Sequence, residues 1–457
     1  MTPDIHGIGN KATVTAPSDR EVSSQERPEK FNTKHMRRVL FSSFLGSAIE
    51  FYDFMLYATA ASIVFGQVFF TQMTPALALV ASFATMATGY LARPLGALIF
   101  GPIGDRMGRK TVLIMTLTLM GVTSALIGLL PTYAMIGATA PILLITLRIV
   151  QGIAVGGEWG GSMLIAMEHS PGRRRGFAAS FANMGGPAGA LCATAMIGLF
   201  AALPDEQFYA WGWRIPFLFS LVLVAIGLFV RLKIAETPVF QQLAQKREEK
   251  MTPVRDIFTT YWKQLLLAIV AGVAPYVTQG IFVIWSTALV VQHGMDRTLA
   301  INLHIPTAFA LILAIALSSH LSDRFGRRPV MAFGVVAGIV LAFPMMMLLE
   351  TATFWGVLIA MVVAQFLMQG FIFGPFAAFT AELFPTRMRY TGSSLAYQTA
   401  STLGAGFAPI IATALYASTG NTSITPVSIF LIVIFVLSGL AIWLSREGSK
   451  VNLESAQ

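Results

Sequence analysis

Long apolar runs separated by short polar loops are the feature that most restricts how this chain can fold. Each run has roughly 20 residues or more, which is enough to cross a lipid bilayer as an α-helix. The alternating pattern of a membrane β-barrel is absent, so an all-α membrane protein with twelve transmembrane helices is predicted. The runs lie at about residues 39–66, 77–101, 111–131, 139–166, 177–202, 212–232, 263–291, 299–320, 330–349, 354–381, 391–417 and 425–445.

The composition agrees with a membrane protein and excludes several other classes. Of 457 residues, 55% are hydrophobic and 12% are charged, too few charges to coat a soluble fold of this length. The single cysteine, Cys192, excludes a disulfide framework and a cysteine metal cluster. The sequence has no nucleophile–base pair, no metal-ligand spacing and no phosphate-binding glycine loop. We therefore expect no enzyme, no catalytic residues, no metal and no cofactor.

Lysine and arginine residues indicate on which side of the membrane each loop lies. Basic residues precede the first run and fill the loops after the even-numbered runs, whereas the other loops carry almost none. Because basic loops stay in the cytoplasm, both termini are expected to be cytoplasmic. The formal net charge of +9 then reflects topology, so we expect no nucleic-acid partner.

Two loop motifs occur twice in the chain. "GDRMGRK" at 104–110 corresponds to "SDRFGRR" at 322–328, and "EHSPGRRR" at 168–175 corresponds to "ELFPTRMR" at 382–389. The separations, 218 and 214 residues, are nearly equal, which predicts two six-helix halves related by a parallel repeat. The predicted units are a disordered cytoplasmic tail at 1–35, halves at 36–233 and 261–445, a cytoplasmic linker at 234–260 and a tail at 446–457.

The repeated loops resemble the loop signature of the major facilitator superfamily. Within it, "AIEFYDF", "ARPLGALIFG", "RIVQGIAVGGEWGG", "WGWRIPFLFS" and "ELFPTRMRYTG" together resemble the metabolite:proton symporter family. That family carries organic acids and zwitterionic osmolytes across bacterial inner membranes, and the resemblance runs from about residue 37 to 445. The stretches "PILLITLRIVQG" and "DEQFYAWGWRIPFLFS" most resemble shikimate-type members and their uncharacterised relatives. The resemblance implies a multi-pass inner-membrane symporter that is driven by the proton gradient and binds protons and a small-molecule substrate. We expect it to function as a monomer.

Five charged residues lie deep inside the predicted spans. At ~1.5 Å of rise per residue, Glu50 lies about 17 Å from the cytoplasmic end of its span and Asp53 about 21 Å. By the same rise, Arg93 and Glu158 lie at about 12–16 Å and Arg148 at about 25 Å. Charges this far inside a hydrocarbon core of ~30 Å are unfavourable by at least a few kcal/mol, so each is a candidate functional residue.

These charges predict proton coupling. Glu50 and Asp53 share one helix face, and Arg93 matches Glu158 in depth, so Arg93 and Glu158 are expected to pair. Three acids then face two arginines, and the acid left over can hold a proton. Asp53 is the first candidate proton carrier, Glu158 the second and Glu50 the third, and the family resemblance supports Asp53 and Glu158. The alternative is a static salt-bridge network that fixes helix packing.

Substrate-binding candidates follow from side-chain chemistry. Arg148 and Gln151 fit the "RxxQG" pattern of the superfamily, and an arginine fork suits a substrate carboxylate. The alternative for Arg148 is a partner of Asp53 only. Neutral polar side chains in the spans can form hydrogen bonds with substrate hydroxyl groups. The alternative is that they only join helices by hydrogen bonds. The remaining substrate-binding candidates are Arg93, Tyr57, Tyr276, Gln279, Tyr397 and Gln398.

The repeated loops predict a cytoplasmic gate. Asp105 and Asp323 lie near the starts of spans three and nine, where a carboxylate is favoured by the helix dipole. Glu168 and Glu382 end spans four and ten on the same side. We expect ion pairs here to hold the cytoplasmic face shut and to separate when it opens. The predicted gate residues are Asp105, Arg106, Arg109, Glu168, Asp323, Arg324, Arg327, Glu382 and Arg387.

The sequence therefore predicts a proton-coupled importer of a small organic acid, such as shikimate or a related carboxylate, working by alternating access. One alternative is a proton-coupled symporter of betaine or proline. Another alternative, from a different class, is a metabolite-sensing receptor built on a transporter fold.

Overall fold

The structure, a computed structural model, describes residues 33–233 and 253–448 of the chain. The predicted tails at 1–35 and 446–457 and the predicted linker at 234–260 fall largely outside these residues. The last residues of that linker region carry one short helix, Pro253–Thr259, directly before the second group of long helices.

The described residues form twelve long helices, which confirms the predicted all-α membrane fold. Eleven of them belong to segments long and apolar enough to cross a membrane, and the remaining one, α2, has 33 residues. The helices are α1 (Thr33–Ile63), α2 (Pro75–Met107), α3 (Arg109–Leu129), α4 (Thr139–Glu168), α5 (Arg175–Ala201), α6 (Arg214–Leu232), α7 (Trp262–Gln292), α8 (His304–Phe325), α9 (Arg327–Glu350), α10 (Phe354–Leu383), α11 (Thr386–Ala417) and α12 (Thr425–Leu444).

The two copies of the first loop motif have the same backbone geometry. Gly108 separates α2 from α3 with φ of 106°, and Gly326 separates α8 from α9 with φ of 100°. A positive φ of this size is readily adopted only by glycine, so both loops turn at the glycine of the motif. The helices before them, α2 and α8, run beyond the predicted apolar segments and carry Asp105 and Asp323 in their last turns.

Small residues allow the helices of the first half to pack closely. On α2, a Cβ atom added at Gly96 would lie 2.0 Å from the carbonyl oxygen of Ile153 on α4. On α5, a Cβ atom at Gly189 would lie 2.0 Å from the carbonyl oxygen of Ala48 on α1. Close approach of two helix backbones at a small residue is typical of helix packing in membranes. It brings α1, α2 and α4 together around the deep charges.

The two halves contact each other through α2 with α11, α5 with α8 and α10, and α4 with α11. We call the end of the bundle that carries the four repeated loops the basic face. Hydrogen bonds between the halves begin near mid-span, where Thr402 Oγ1 donates to the Tyr90 carbonyl at 3.1 Å and Gln398 Nε2 donates to the Val155 carbonyl at 3.2 Å. Further bonds continue to the basic face, so the bundle is closed on that side.

Candidate functional site

A buried pocket lies where α1, α2 and α4 meet. It has about 230 Å³ of empty space, counting the space at its mouth. Four charged side chains line it, Glu50, Asp53, Arg93 and Arg148, and each is at most 6% exposed. The structure thus brings together four of the five deep charges predicted from the sequence.

Asp53 is held by a hydrogen bond from α6. Ser220 Oγ donates to Asp53 Oδ1 at 2.5 Å, a short bond for a hydroxyl and a carboxyl. Arg148, which lines the same pocket, donates to Gln151 Oε1 at 2.5 Å, and Gln151 Nε2 donates to Ser124 Oγ at 2.6 Å. The arginine and the amide of the "RxxQG" pattern therefore hold each other in a fixed orientation.

Both arginines of the pocket lie against aromatic rings. The guanidinium carbon of Arg93 lies 4.6 Å from the ring centre of Tyr90 and 5.0 Å from that of Phe54. The guanidinium carbon of Arg148 lies 4.0 Å from the ring centre of Tyr57. These cation–π contacts stabilise a buried positive charge while leaving the N–H edge of a guanidinium able to bind an anion.

Glu50 is the least satisfied side chain of the pocket. It is 1% exposed, and neither of its carboxyl oxygens accepts a hydrogen bond from any residue that the structure describes. Arg93 makes no ion pair within the same part of the chain. Both side chains line the pocket, so the groups of the pocket that are free to bind a ligand belong mainly to Glu50 and Arg93.

The predicted pair of Arg93 with Glu158 is wrong. Glu158 forms an ion pair with Arg231 of α6 and also accepts hydrogen bonds from Thr116 at 2.9 Å and Ser162 at 3.0 Å. Matching depth did not reveal this partner, because depth fixes the height of a side chain but not the face of the helix that carries it. The count of three acids against two arginines was incomplete, since Arg231 reaches inward from the last turn of α6.

The Glu158–Arg231 ion pair lies outside the pocket. A Cβ atom at Gly46 of α1 would lie 2.6 Å from Glu158 Oε1 and would overlap the Arg231 guanidinium. Gly46 therefore leaves room for the pair between α1, α4 and α6. Both charges are buried, and a buried pair is stable only when further hydrogen bonds satisfy it, which Thr116 and Ser162 do here.

The substrate-binding candidates of the second half do not line the pocket. Tyr397 stacks on Trp159 across the two halves, with ring centres 3.7 Å apart and planes at 17°. The ring of Tyr276 lies edge-on to Tyr397 at 5.4 Å, and its hydroxyl has no hydrogen-bond partner among the described residues. Gln398 joins the halves through its bond to Val155, and Gln279 is half-buried on α7. These tyrosine and glutamine side chains form an aromatic and amide surface on the second half.

At the basic face, the aspartates of the repeated loops bind helix N-termini of the opposite half. Asp105 accepts hydrogen bonds from the backbone N–H groups of Tyr390 and Thr391, each at 3.0 Å, and from Thr391 Oγ1 at 2.6 Å. Asp323 accepts from the N–H groups of Gly176 at 2.8 Å and Phe177 at 2.9 Å. A carboxylate is stabilised at a helix N-terminus by unsatisfied N–H groups and by the helix dipole. We call these contacts the Asp105 latch and the Asp323 latch.

Ion pairs of the predicted gate lie mostly within one half. Arg109 pairs with Glu168 at 3.4 Å, and Arg327 pairs with Asp323 at 2.6 Å and with Glu382 at 3.1 Å. The prediction that ion pairs hold this face shut is therefore incomplete, because the two latches bind backbone groups.

The arginine that reaches across the halves is not the predicted one. Arg389 is buried and lies 3.8 Å from Glu168 in the opposite half, whereas Arg387 is exposed. The other predicted gate arginines, Arg106 and Arg324, are exposed as well. The second arginine of "ELFPTRMR", rather than the first, therefore contacts the gate.

Sequence reasoning missed four residues of these sites, namely Arg231, Ser220, Arg389 and Glu447. Arg231 lies at the end of the predicted run 212–232, from where a long arginine side chain can extend back along its helix. Glu447 lies beyond the last helix and accepts hydrogen bonds from the N–H groups of Arg327 and Arg328, each at 3.0 Å. Ser220 carries no charge, so no signal in the sequence distinguished it from other serines in the spans.

Twelve helices in two repeated halves, with buried charges where the helices meet, define a secondary transporter rather than a channel or an enzyme. The chain belongs to the Major Facilitator Superfamily, whose family model matches residues 43–409 and again 305–457. The superfamily predicted from the repeated loops is therefore confirmed.

Curated relatives support the narrower resemblance as well. The chain is 39% identical over 420 residues to the shikimate transporter of Escherichia coli (strain K12), which covers 91% of this chain and 95% of that protein. It is 35% identical over 410 residues to the proline/betaine transporter of the same strain, covering 84% and 79%. Among solved structures, the proton:xylose symporter XylE bound to 6-bromo-6-deoxy-D-glucose has the same fold, with a TM-score of 0.74 at 18% identity over 93% of this chain and 99% of that one.

Proposed function

We propose that the protein is a proton-coupled symporter that imports a small organic acid, with shikimate-like monocarboxylates as the first candidates. The observation that carries this proposal is the buried pocket that combines two arginines with two acids. Arginine remains charged under all physiological conditions and can bind a carboxylate through two parallel hydrogen bonds. An acid in the same buried pocket can take up and release a proton as the pocket opens to either side.

Asp53 is the proposed coupling residue. Its carboxyl lies in the pocket and is held by Ser220, so it keeps one orientation while its protonation changes. Arg148 lines the same pocket and would stabilise Asp53 once the proton has left. We retain Glu158 as a weaker candidate, because its ion pair with Arg231 gives it a structural role already.

The proposed orientation places the basic face in the cytoplasm of a bacterium. Basic loops flank both halves on that side, and such loops stay cytoplasmic. Both termini would then be cytoplasmic, and the bundle, closed at the basic face, would be in an outward-facing arrangement. Separation of the Asp105 and Asp323 latches would open the cytoplasmic side.

Transport in proteoliposomes tests this proposal. Purified full-length protein would be reconstituted, and uptake of radiolabelled shikimate would be measured with and without an inward proton gradient. We expect the gradient to stimulate uptake by wild type and to have no effect on the Asp53→Asn variant. Gradient-driven uptake by both proteins would remove Asp53 from the coupling mechanism. If wild type takes up shikimate at the same rate with and without the gradient, proton coupling is contradicted.

A zwitterionic osmolyte such as glycine betaine or proline is the second candidate substrate. The pocket favours it in one respect, because two acids and two arginines sum to no net charge when all are ionised. The aromatic rings of Phe54 and Tyr90, already in contact with Arg93, could also accept a quaternary ammonium group. Radiolabelled glycine betaine and proline in the same uptake assay would separate the two candidates. A metabolite receptor would bind one of these compounds without transporting it.

A further inference from the structure

The four charges of the pocket divide into two sets with different bonding. Asp53 and Arg148 are held by neighbouring polar side chains, Ser220 and Gln151. Glu50 has no hydrogen bond and Arg93 no hydrogen bond or ion pair within the residues that the structure describes. Buried polar groups are nearly always satisfied in stable proteins, so the missing partner of Glu50 is expected to be a ligand in the pocket that Arg93 also lines.

We propose that Glu50 and Arg93 bind the carboxylate of the transported anion, with Glu50 in its protonated form. Arg93 would supply two N–H groups in its planar fork, and the carboxyl of Glu50 would donate its O–H to the same anion. This inference rests on the proposed function and adds to it a division of labour. Glu50 couples proton uptake to anion binding, and Asp53 couples protonation to the conformational change, without which the loaded protein does not respond to the gradient.

The balance of charge explains why Glu50 must be neutral when the anion is bound. Glu158 is neutralised by Arg231, which leaves two acids and two arginines in the pocket. A monoanion would add one uncompensated negative charge to a buried site, and one proton removes that charge. Asp53 in its ionised form is stabilised by the Ser220 hydroxyl, whereas ionised Glu50 has no donor in the described structure. The proton therefore belongs on Glu50.

Other groups around Glu50 are consistent with this assignment. The helix that packs most closely on α1, α5, contributes only glycine at its nearest approach, at Gly185 and Gly189. The charged and titratable side chains that surround Glu50 are Asp53 on α1, Tyr90 and Arg93 on α2, Arg148 and Glu158 on α4, Arg231 on α6, Tyr276 on α7 and Tyr397 on α11. Of these tyrosines, Tyr276 and Tyr397 belong to the second half and lie within electrostatic reach of Glu50, so the bound anion would lie near the second half as well.

The subsite selects the class of substrate. A monocarboxylate without a cationic group needs the proton on Glu50 to enter the pocket at no net charge. A zwitterion brings no net charge and needs no proton. Binding of the anion, but not of a zwitterion, is therefore linked to the uptake of one proton from water by a Glu50 oxygen, and release of the anion returns that proton.

Calorimetric titration of the purified full-length protein tests this linkage. Shikimate, proline and glycine betaine would each be titrated at about pH 6 and about pH 8 in buffers of different ionisation enthalpy, which gives the number of protons taken up. We expect wild type to take up about one proton with shikimate and to bind it more weakly at the higher pH. The loss is about tenfold per pH unit once the carboxyl is mostly ionised.

Variants assign the proton to a residue. In Glu50→Gln we expect shikimate binding to take up no proton and to be independent of pH, since the amide already donates to the anion. Arg93→Lys, which keeps the charge but loses the fork, is expected to weaken binding by about tenfold or more. Glu206→Gln, at an exposed glutamate far along the chain, is the matched control and should behave as wild type. Thermal unfolding would confirm that each variant is folded.

The outcomes separate the subsite from the proposed function. Proton uptake that persists in Glu50→Gln and disappears in Asp53→Asn would overturn the subsite while leaving an organic acid transporter. Arg93→Lys binding shikimate as tightly as wild type would overturn it as well. If shikimate does not bind and glycine betaine or proline does, without proton uptake, the organic acid proposal fails and the subsite fails with it.

Discussion

The carboxylate of Asp105 accepts both the backbone N–H and the hydroxyl of Thr391, a residue 286 positions further along the chain. This contact joins the end of α2 to the point where α11 becomes α-helical, at Arg389, and the Asp323 latch joins the end of α8 to the first turn of α5 in the same way. The bundle is therefore closed at the basic face by two contacts of one type, related by the internal repeat. Each latch holds the halves together only while the carboxylate and the helix N-terminus remain in contact.

Replacing Asp105 by asparagine should loosen this face. The variant loses a charge at a helix N-terminus, which is worth about 1–2 kcal/mol, or roughly a tenfold change in the ratio of closed to open molecules. A reporter cysteine at Ser180, buried between the halves, would be labelled with a maleimide in a Cys192→Ser background. We expect faster labelling in Asp105→Asn. Asp205→Asn, which removes the same charge from an exposed aspartate between α5 and α6, should label at the parent rate.

Closure also depends on the absence of a side chain at Gly160. A Cβ atom there would lie 1.9 Å from Ser394 Oγ in the opposite half. Gly160→Ala should therefore disfavour the closed form by about 1–3 kcal/mol, and the same cysteine labelling should become faster. Adding Ser394→Ala removes the clashing oxygen and should restore slow labelling. Gly198→Ala places its methyl group in open space and is the control for alanine in a helix.

The ion pair of Glu158 and Arg231 should dominate the stability of the first half. Removing one partner of a buried pair leaves an uncompensated charge, which destabilises a protein by about 3–5 kcal/mol. We expect Glu158→Gln to lower the midpoint of thermal unfolding in detergent substantially, and the double variant Glu158→Gln/Arg231→Gln to recover part of the loss. An unchanged midpoint in Glu158→Gln, together with gradient-independent uptake, would instead make Glu158 a proton carrier.

Glu447 should stabilise the start of α9. Its two oxygens accept the N–H groups of Arg327 and Arg328, as a capping residue does, and Arg327 also binds Asp323 and Glu382. Removing a helix cap typically costs about 0.5–2 kcal/mol. Hydrogen exchange measured by mass spectrometry should show lower protection of the first turn of α9 in Glu447→Ala. The variant Glu447→Gln keeps one acceptor oxygen and should show a smaller loss.

The sequence was sufficient for the fold because its signals are local. Apolar runs, basic loops and two repeated motifs each report on a short stretch, and together they predicted twelve helices in two halves. Depth counting also found Glu50, Asp53, Arg93 and Arg148, because charges within a span are rare whatever their neighbours are. The structure then showed that these four residues line one pocket.

Pairing could not be predicted in the same way. Whether Glu158 meets Arg93 or Arg231 depends on the rotation of three helices about their axes, and no local pattern fixes that rotation. The latches were missed for a related reason. Ion pairs are expected at Asp105 and Asp323, and Asp323 does pair with Arg327, but both carboxylates also bind backbone N–H groups of the opposite half, which every residue except proline carries.

Because both latches bind backbone N–H groups, the two halves of this protein can be recombined with those of a relative. A helix N-terminus presents the same N–H groups whatever side chains surround it. The Asp323 latch therefore depends little on the sequence that it binds. The Asp105 latch needs one hydroxyl group, that of Thr391, in addition. A chimaera that joins the first half of this protein to the second half of a relative should therefore still close at the basic face, even where the substrate-contacting residues differ. The two latches and the buried pocket consist of different residues, so one can be exchanged without rebuilding the other.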